Sequence, residues 1–193
     1  IRQRRHENLF LHDNGLLFAN GTDKAITWMN STVNGHPVIP RTGYIVEFNA
    51  LWYNALRFIA DLVREGGDVY LADELDAQAE VTGKSFVEVF RNEYGYLLDY
   101  VDGNMMDWSV RPNMIFTVAF DYSPLDRAQK KQVLDIVTKE LLTPKGIRSL
   151  SPKRGGIQSE LCRSADTTRL CLSSGNGLAL VDGILSGSLS SNL

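Results

Sequence analysis

The chain has 193 residues, of which 44% are hydrophobic and 22% are charged, a composition typical of a globular domain with one sizeable core. Its formal net charge of −3 gives no reason to expect nucleic acid or an anionic membrane as a partner. No apolar run approaches the roughly 20 residues of a transmembrane helix, and no apolar segment follows the basic start to make a signal peptide.

The cysteines indicate the redox environment of the chain, and its first residue indicates that it belongs to a longer protein. Cys162 and Cys171 have neither metal-ligand spacing nor a disulfide framework, so we expect a reducing, cytoplasmic location and no bound metal. The first residue is Ile1 rather than methionine, and we therefore expect an N-terminal part of the same protein to be missing from this chain.

Helical periodicity is clearest in the first half of the chain. Residues 20–43 contain Gly, Pro and Asn at short intervals and are interpreted as an ordered loop. Apolar residues then recur at spacings of three and four, which predicts an amphipathic helix over residues 45–64 that ends at Gly66-Gly67. A second helix is predicted over residues 70–93, and Gly83 could split it.

The second half of the chain also predicts helices. Residues 94–110 form a loop rich in Asp, Asn, Gly and aromatic residues, and Pro112 then suits the first turn of a short helix. Ser123-Pro124 is interpreted as the start of a further helix, which Thr143-Pro144 stops. Since no strand alternation is visible, we expect an all-α fold of helix pairs joined by long polar-aromatic loops, and such loops are usually functional.

Residues 27–56 combine the side chains that a sugar-binding cleft requires. Pyranose rings present apolar faces to aromatic side chains, and their hydroxyl groups bind amides, arginine and carboxylates. The segment supplies all of these types, and its candidate contacts with a sugar are Trp28, Arg41, Glu47, Asn49 and Trp52.

Three motifs in sequence order carry a family resemblance. The first joins T-W-M-N at residues 27–30, P-R-T-G at 40–43 and V-E-F-N-A-L-W-Y-N at 46–54. The second joins Y-V-D-G at 100–103 with S-V-R-P-N at 109–113, and the third runs from Y-S-P-L at 122–125 to E-L-L-T-P-K-G-I-R-S-L-S-P at 140–152. Over about residues 10–155 the chain resembles the C-terminal, amylo-α-1,6-glucosidase domain of bacterial and archaeal glycogen debranching enzymes.

The resemblance implies a fold, a substrate and an absence of cofactors. It implies that residues 1–156 are part of an (α/α)6 toroid that hydrolyses α-1,6-glucosidic branch points in glycogen or a branched α-glucan, with no metal or organic cofactor. It also places Asp102, Arg111 and Asn113 in the cleft beside residues 27–56. The isolated fragment is expected to be inactive, because part of the toroid lies outside it.

The expected chemistry is hydrolysis with inversion, which requires two carboxyl groups about 6.5–9.5 Å apart. The family's general acid lies in a pattern like W-M-D, and the matching residues are Trp28-Met29-Asn30. An amide cannot deliver a proton, and general acid catalysis contributes about 10²–10⁴-fold. Glu47, in the first turn of its predicted helix, is the carboxylate expected nearest the sugar, as a substrate contact and as a candidate for base catalysis.

Other interpretations of these residues stay open. Trp52 on an apolar helix face could pack in the core, and Glu47 could simply favour the helix start. Asp99, Asp102 and Asp107 could suggest calcium, but the regular calcium-loop pattern is absent. Alternative functions are another (α/α)6 glycosidase, trehalase-like or glucoamylase-like, or a non-catalytic carbohydrate-binding module, which Asn30 favours.

The tail differs in composition from the rest and suggests a change of reading frame. Residues 157–193 have no aromatic side chain, whereas relatives are expected to continue with Y-H-Q-G-T-x-W-P-W. Suitable synonymous codons for this tail, read one base later, encode a peptide containing that motif. We therefore expect residues 157–193 to be a frameshifted, non-native tail. Encoding DNA without such a peptide in a shifted frame would refute this hypothesis.

Overall fold

The computed structural model describes residues 6–153, so the predicted frameshifted tail lies outside the described residues. Two long helices, α1 (Val46–Glu65) and α2 (Val69–Phe90), are followed by a short 3₁₀ turn (Pro112–Ile115) that leads into α3 (Phe116–Ala119). The last described helix is α4 (Arg127–Leu141). The helices predicted from periodicity are therefore present, with their boundaries shifted by a few residues.

Helices α1 and α2 form a hairpin around two glycines. Gly66 closes α1, and Gly67 has a φ of +91°, a conformation that glycine adopts without strain. The Asp68 side chain then caps α2 by accepting a hydrogen bond of 3.0 Å from the Leu71 amide. Helix α2 continues through Gly83 without a break. A Cβ at this position would lie 3.0 Å from the Tyr53 ring of α1. Gly83 thus serves helix packing.

The start of α4 differs from the prediction. Asp126 is the N-cap, and it exchanges hydrogen bonds with Gln129 in a capping box of 2.8 and 3.0 Å. Ser123 lies in the preceding turn, where its hydroxyl accepts from the Leu125 amide at 3.2 Å. Predicting Ser123 as the cap was wrong by three residues, because the reciprocal Asp–Gln pair satisfies more of the free amides than a serine can.

The prediction of an all-α fold is wrong, because the described residues contain three antiparallel sheets. A five-stranded sheet has the order β1-β2-β5-β6-β7, and two hairpins pair β3 with β4 and β8 with β9. The strands are β1 (Leu9–Leu11), β2 (Leu17–Ala19), β3 (Thr32–Val33), β4 (His36–Pro37), β5 (Gly43–Ile45), β6 (Tyr100–Asp102), β7 (Met105–Met106), β8 (Leu142–Thr143) and β9 (Gly146–Ile147).

These strands escaped prediction because each has only two or three residues, too few to show an alternating pattern. The sheet also joins segments that are distant in sequence. Phe18 lies opposite Tyr44, and Tyr44 lies opposite Val101 on its other side. The loops predicted between the helices therefore build a sheet, and the described helices with this sheet are not the purely helical (α/α)6 toroid that the resemblance implied.

Two apolar clusters hold the described part of the chain together. The larger one joins α2, the residues after β6 and α4, with Phe86, Met114 and Val137 almost fully buried. The smaller one lies between α1 and α2 around Leu56 and Leu75. None of the described helices is long and apolar enough to cross a membrane.

Candidate functional site

A buried arginine–carboxylate pair lies at the N-terminal end of α1. The Arg41 guanidinium donates through Nη1 to Oε1 and through Nη2 to Oε2 of Glu47, the latter at 2.7 Å. Arg41 is 2% exposed and Glu47 is 3% exposed. Because both Glu47 oxygens accept from one planar guanidinium, the pair is bidentate and geometrically fixed.

Asp99 completes this pair from the strand side of the site. Its Oδ1 accepts from Arg41 Nη2 at 3.1 Å, its Oδ2 lies 3.0 Å from Arg41 Nε, and its backbone oxygen accepts from Nη2 at 3.2 Å. The same backbone oxygen accepts from the Val46 amide, the first of α1, at 3.1 Å. Asp99 thus joins the start of α1 to the segment that leads into β6.

Arg111 is a second buried cation in this cluster. Its Nε lies 3.7 Å from Asp99 Oδ2 and 4.0 Å from Asp107 Oδ2, and the residue is 5% exposed. Its Nε and Nη1 atoms have no hydrogen-bond partner among the described residues. Arg111 therefore has donor capacity that the described part of the chain does not use.

A chain of hydrogen bonds leads from the buried cluster to an exposed indole. Asn113 Nδ2 donates to Asp99 Oδ1 at 2.6 Å, and Asn113 Oδ1 accepts from Trp28 Nε1 at 2.8 Å. Asn113 is buried, whereas Trp28 is 42% exposed. Asn30, the residue at the position of the family's acid, is exposed two residues beyond Trp28. We call Trp28, Arg41, Glu47, Asp99, Arg111 and Asn113 the arginine–indole cluster.

Local backbone structure explains why these side chains meet. Gly43 opens β5 with a φ of +104°, and a side chain there would collide with the carbonyl oxygen of Val101 in β6. The close approach of β5 and β6 brings Arg41, two residues before Gly43, against Asp99, one residue before β6. Glu47 reaches the same point because it lies in the first turn of α1.

Burial and charge act in opposite directions on this cluster. Burial raises the pKa of the Glu47 carboxyl, although the charge and hydrogen bonds of Arg41 oppose that rise. Burial alone would lower the pKa of Arg41, but the charges of Asp99 and Glu47 outweigh it and raise that pKa above its ordinary value. Arg41 is therefore a permanent cation in the site, held by two carboxylates.

Three of the residues predicted for the site lie elsewhere. The Asn49 side chain is buried and binds the backbone of Leu17. It accepts from the Leu17 amide at 2.7 Å and donates to the Leu17 carbonyl oxygen at 3.0 Å. Trp52 packs in the smaller apolar cluster and donates to the Gly15 carbonyl at 3.1 Å. Asp102 is half-buried at the end of β6. The structure thus brings together Trp28, Arg41, Glu47, Arg111 and Asn113, but not these three.

Asp99 is absent from the cleft residues predicted from the sequence, although it contacts three members of the cluster. A signal for it exists, since Asp99 directly follows the apolar pair Leu97-Leu98 and precedes a strand. An acid inside an apolar run is usually buried, and a buried carboxylate needs a cationic partner. Only the fold shows which arginine supplies it.

Other concave and acidic features of the described residues do not join this cluster. An open groove of about 480 Å³ lies between α2 and the start of α4, and no member of the arginine–indole cluster lines it. Within residues 6–153 no group of three or more His, Cys, Asp or Glu side chains is arranged to hold a metal ion. The cluster is therefore the best-defined polar site in the described part of the chain.

Comparison with known proteins identifies the family to which the motifs around the cluster belong. A search among curated proteins gave no match. The sequence model of the family described as amylo-alpha-1,6-glucosidase matches residues 6–162, which include every member of the arginine–indole cluster. The match covers most of the 193 residues, and the chain therefore belongs to the amylo-alpha-1,6-glucosidase family, a glycogen-debranching type of glycosidase.

Proposed function

We propose that this chain supplies the glucan-binding side of a debranching site that acts on α-1,6 branch points of glycogen or a related α-glucan. The observation that carries the proposal is the exposed Trp28 indole, which a buried asparagine holds in place. An ordered aromatic face suits the apolar face of a glucose ring, and its fixed orientation lowers the entropy cost of binding.

The polar members of the cluster suit the hydroxyl groups of the same sugar. Arg111 has buried N–H groups with no partner among the described residues, so it is our candidate donor to a glucose hydroxyl. Both oxygens of Glu47 are taken by Arg41, so we assign Glu47 to holding Arg41 rather than to activating water. The proposed reaction is hydrolysis with inversion, and its general base is not assigned among the described residues.

Asn30 limits what the chain can do by itself. An inverting glycosidase needs an acid that protonates the leaving oxygen, and the Asn30 amide has no proton of that acidity to give. We therefore propose that the chain as it stands binds a branched glucan but releases glucose from it poorly.

Replacing Trp28 tests the proposed binding role. Trp28→Ala is expected to weaken binding of a branched gluco-oligosaccharide about tenfold in isothermal titration calorimetry, because the stacking surface is lost. Trp28→Phe should weaken binding less, since it keeps a stacking face but loses the N–H group. Tyr70→Ala, at a 92% exposed aromatic of α2, is the matched control and should bind like the unchanged chain. Equal affinity of all three variants would contradict the proposal.

A binding-only carbohydrate module is the second candidate, and the amide at position 30 is the observation that favours it. Asn30→Asp in the full-length protein distinguishes the two functions, with glucose release from a branched limit dextrin as the measurement. Restored release would show that the remaining site is catalytic. No release by Asn30→Asp, with binding intact, would favour the binding module.

A further inference from the structure

We propose that Asp99 is a positioning residue for glucan binding, which acts by fixing the orientation of the Asn113 amide and thereby of the Trp28 indole. The inference rests on the proposed function for its consequence in binding. Its structural part, the control of Trp28 by Asp99, stands on the hydrogen bonds alone. Neither Asp99 nor this relay follows from the motifs that identify the family.

Both oxygens of the Asp99 carboxylate face Arg41, and one of them, Oδ1, also faces Asn113. Its Oδ2 lies 3.0 Å from Arg41 Nε and 3.7 Å from Arg111 Nε. Its Oδ1 accepts from Asn113 Nδ2 at 2.6 Å and from Arg41 Nη2 at 3.1 Å. Asp99 is 1% exposed, so a lost contact is not replaced by a hydrogen bond to water, and its loss costs free energy.

The acceptor character of Asp99 determines which way the Asn113 amide points. A carboxylate only accepts, so the Asn113 NH₂ group must face Asp99 and its oxygen must face away. The oxygen then accepts from Trp28 Nε1, which is a donor and nothing else. Asp99, which is buried, thus determines the orientation of the exposed Trp28 indole through two consecutive hydrogen bonds.

Replacing Asp99 by asparagine should reverse this order. We expect the asparagine oxygen on the Oδ2 side, toward Arg41 Nε and Arg111 Nε, because neither atom has another hydrogen-bond partner among the described residues. Arg41 Nη2, on the other side, also donates to Glu47 and to the backbone oxygen of residue 99. The NH₂ group of the new asparagine would then face Asn113, whose amide would have to turn its oxygen inward. Trp28 Nε1 would meet a second donor and lose its hydrogen bond, which frees the indole from its position.

Fluorescence of Trp28 measures this effect directly. The chain has three tryptophans, so the Trp28 emission is the difference between each protein and its Trp28→Phe counterpart. Asp99→Asn should shift the Trp28 emission maximum and weaken oligosaccharide binding about tenfold. Asp76→Asn is the matched control, because Asp76 also contacts two arginines, Arg57 and Arg64, but no hydrogen bond in the described part of the chain links it to an indole. An unchanged Trp28 emission in Asp99→Asn would overturn the proposal.

A double variant separates positioning from general damage. In Asp99→Asn with Asn113→Asp, the new carboxylate at position 113 accepts both from position 99 and from Trp28. The double variant should regain the emission and affinity that the single variant loses. A merely structural role for Asp99 predicts no such rescue, so its absence would count against the proposal.

Asn113→Ala keeps the test decisive if Asp99→Asn does not fold. It leaves the pairing of Asp99 with Arg41 in place and removes the relay, together with a long contact of 3.5 Å from Asn113 Nδ2 to Met29 Sδ, so it should shift the Trp28 emission as well. Unchanged emission in this folded variant would refute the positioning role. If emission responds as expected but the unchanged chain binds no α-glucan, the relay is supported and the proposed function fails, which distinguishes the two.

Discussion

The two ends of α1 carry the same chemistry in different surroundings. At the N-terminal end, Arg41 is enclosed with Glu47 and Asp99. At the C-terminal end, Arg64 reaches Asp73 at 2.8 Å and Asp76 at 2.9 Å on the surface, with 39% of the Arg64 side chain exposed. Each end thus holds an arginine within hydrogen-bonding distance of two carboxylates, and Arg64 has a third, Asp61, at 3.9 Å.

The difference between the two ends lies in what happens when a partner is removed. Water can solvate a surface charge that loses its partner, so exposed pairs contribute little to stability. A buried charge without its partner keeps the full cost of leaving water. Distances alone therefore do not rank these contacts, and the following changes test whether burial does.

The largest effect is expected at Glu47. Glu47→Gln removes one of the two negative charges that face Arg41. It should lower the free energy of unfolding by about 3–5 kcal/mol, because the buried Arg41 cation then keeps only Asp99 as its partner among the described residues. Urea unfolding followed by circular dichroism measures it. Asp73→Asn, at the exposed end, is the control and should leave the free energy nearly unchanged. Equal losses would show that burial does not govern these pairs.

A second contrast uses two asparagines of α1. Asn49→Ala should cost about 2–3 kcal/mol, since it leaves the buried amide and carbonyl of Leu17 without partners. Within residues 6–153 the Asn54 side chain accepts one hydrogen bond, from the Tyr122 amide at 3.3 Å, and Asn54→Ala should change the free energy of unfolding by less than about 0.5 kcal/mol. Thermal unfolding of both variants provides the comparison, and a larger loss for Asn54→Ala would contradict it.

Salt should separate the two ends further. Arg64→Gln is expected to lower the urea midpoint slightly at low salt and not at all in 1 M NaCl, where the screening length is about 3 Å. Arg41→Gln should destabilise the fold equally at both salt concentrations, because the buried cluster excludes ions. A salt-dependent loss for Arg41→Gln would mean that its pair is open to solvent.

The smallest effect is expected from pH at the end of α4. Hydrogen bonds from Lys153 and Ser151 lower the pKa of Glu140. A lowered pKa contributes stability that is present above the unfolded value and is lost as pH falls through the folded value. We expect less than about 0.5 kcal/mol, lost below about pH 4.5 and absent in Glu140→Gln. Identical acid unfolding curves for the unchanged chain and Glu140→Gln would show that Glu140 makes no such contribution.

The helices could be predicted from the sequence because their signals are local. The apolar spacing of α1 and the Gly66-Gly67 pair suffice to define that helix, and Pro112 marks the short helix after the loop. The sheet could not be predicted in the same way. One of its pairs, Tyr44 with Val101, joins residues more than fifty positions apart, and no local pattern indicates that contact.

The candidate site was predictable in part. The residue types of segment 27–56 pointed to sugar chemistry, and the motifs around Arg111 and Asn113 pointed to the same cleft. Trp52 and Asn49 share that segment, yet α1 turns them toward Gly15 and Leu17. Membership of a motif did not say which face of the helix each side chain occupies.

The sequence by itself determined the family, the positions of the helices and the amide at position 30. These follow from residue identity and short-range spacing, which are properties of the sequence alone. Only the tertiary structure decided that Asp99 joins Arg41 to Asn113 and that Trp28 ends the relay. The reason is physical, since a buried charge selects its partner by distance in space, and the fold sets that distance.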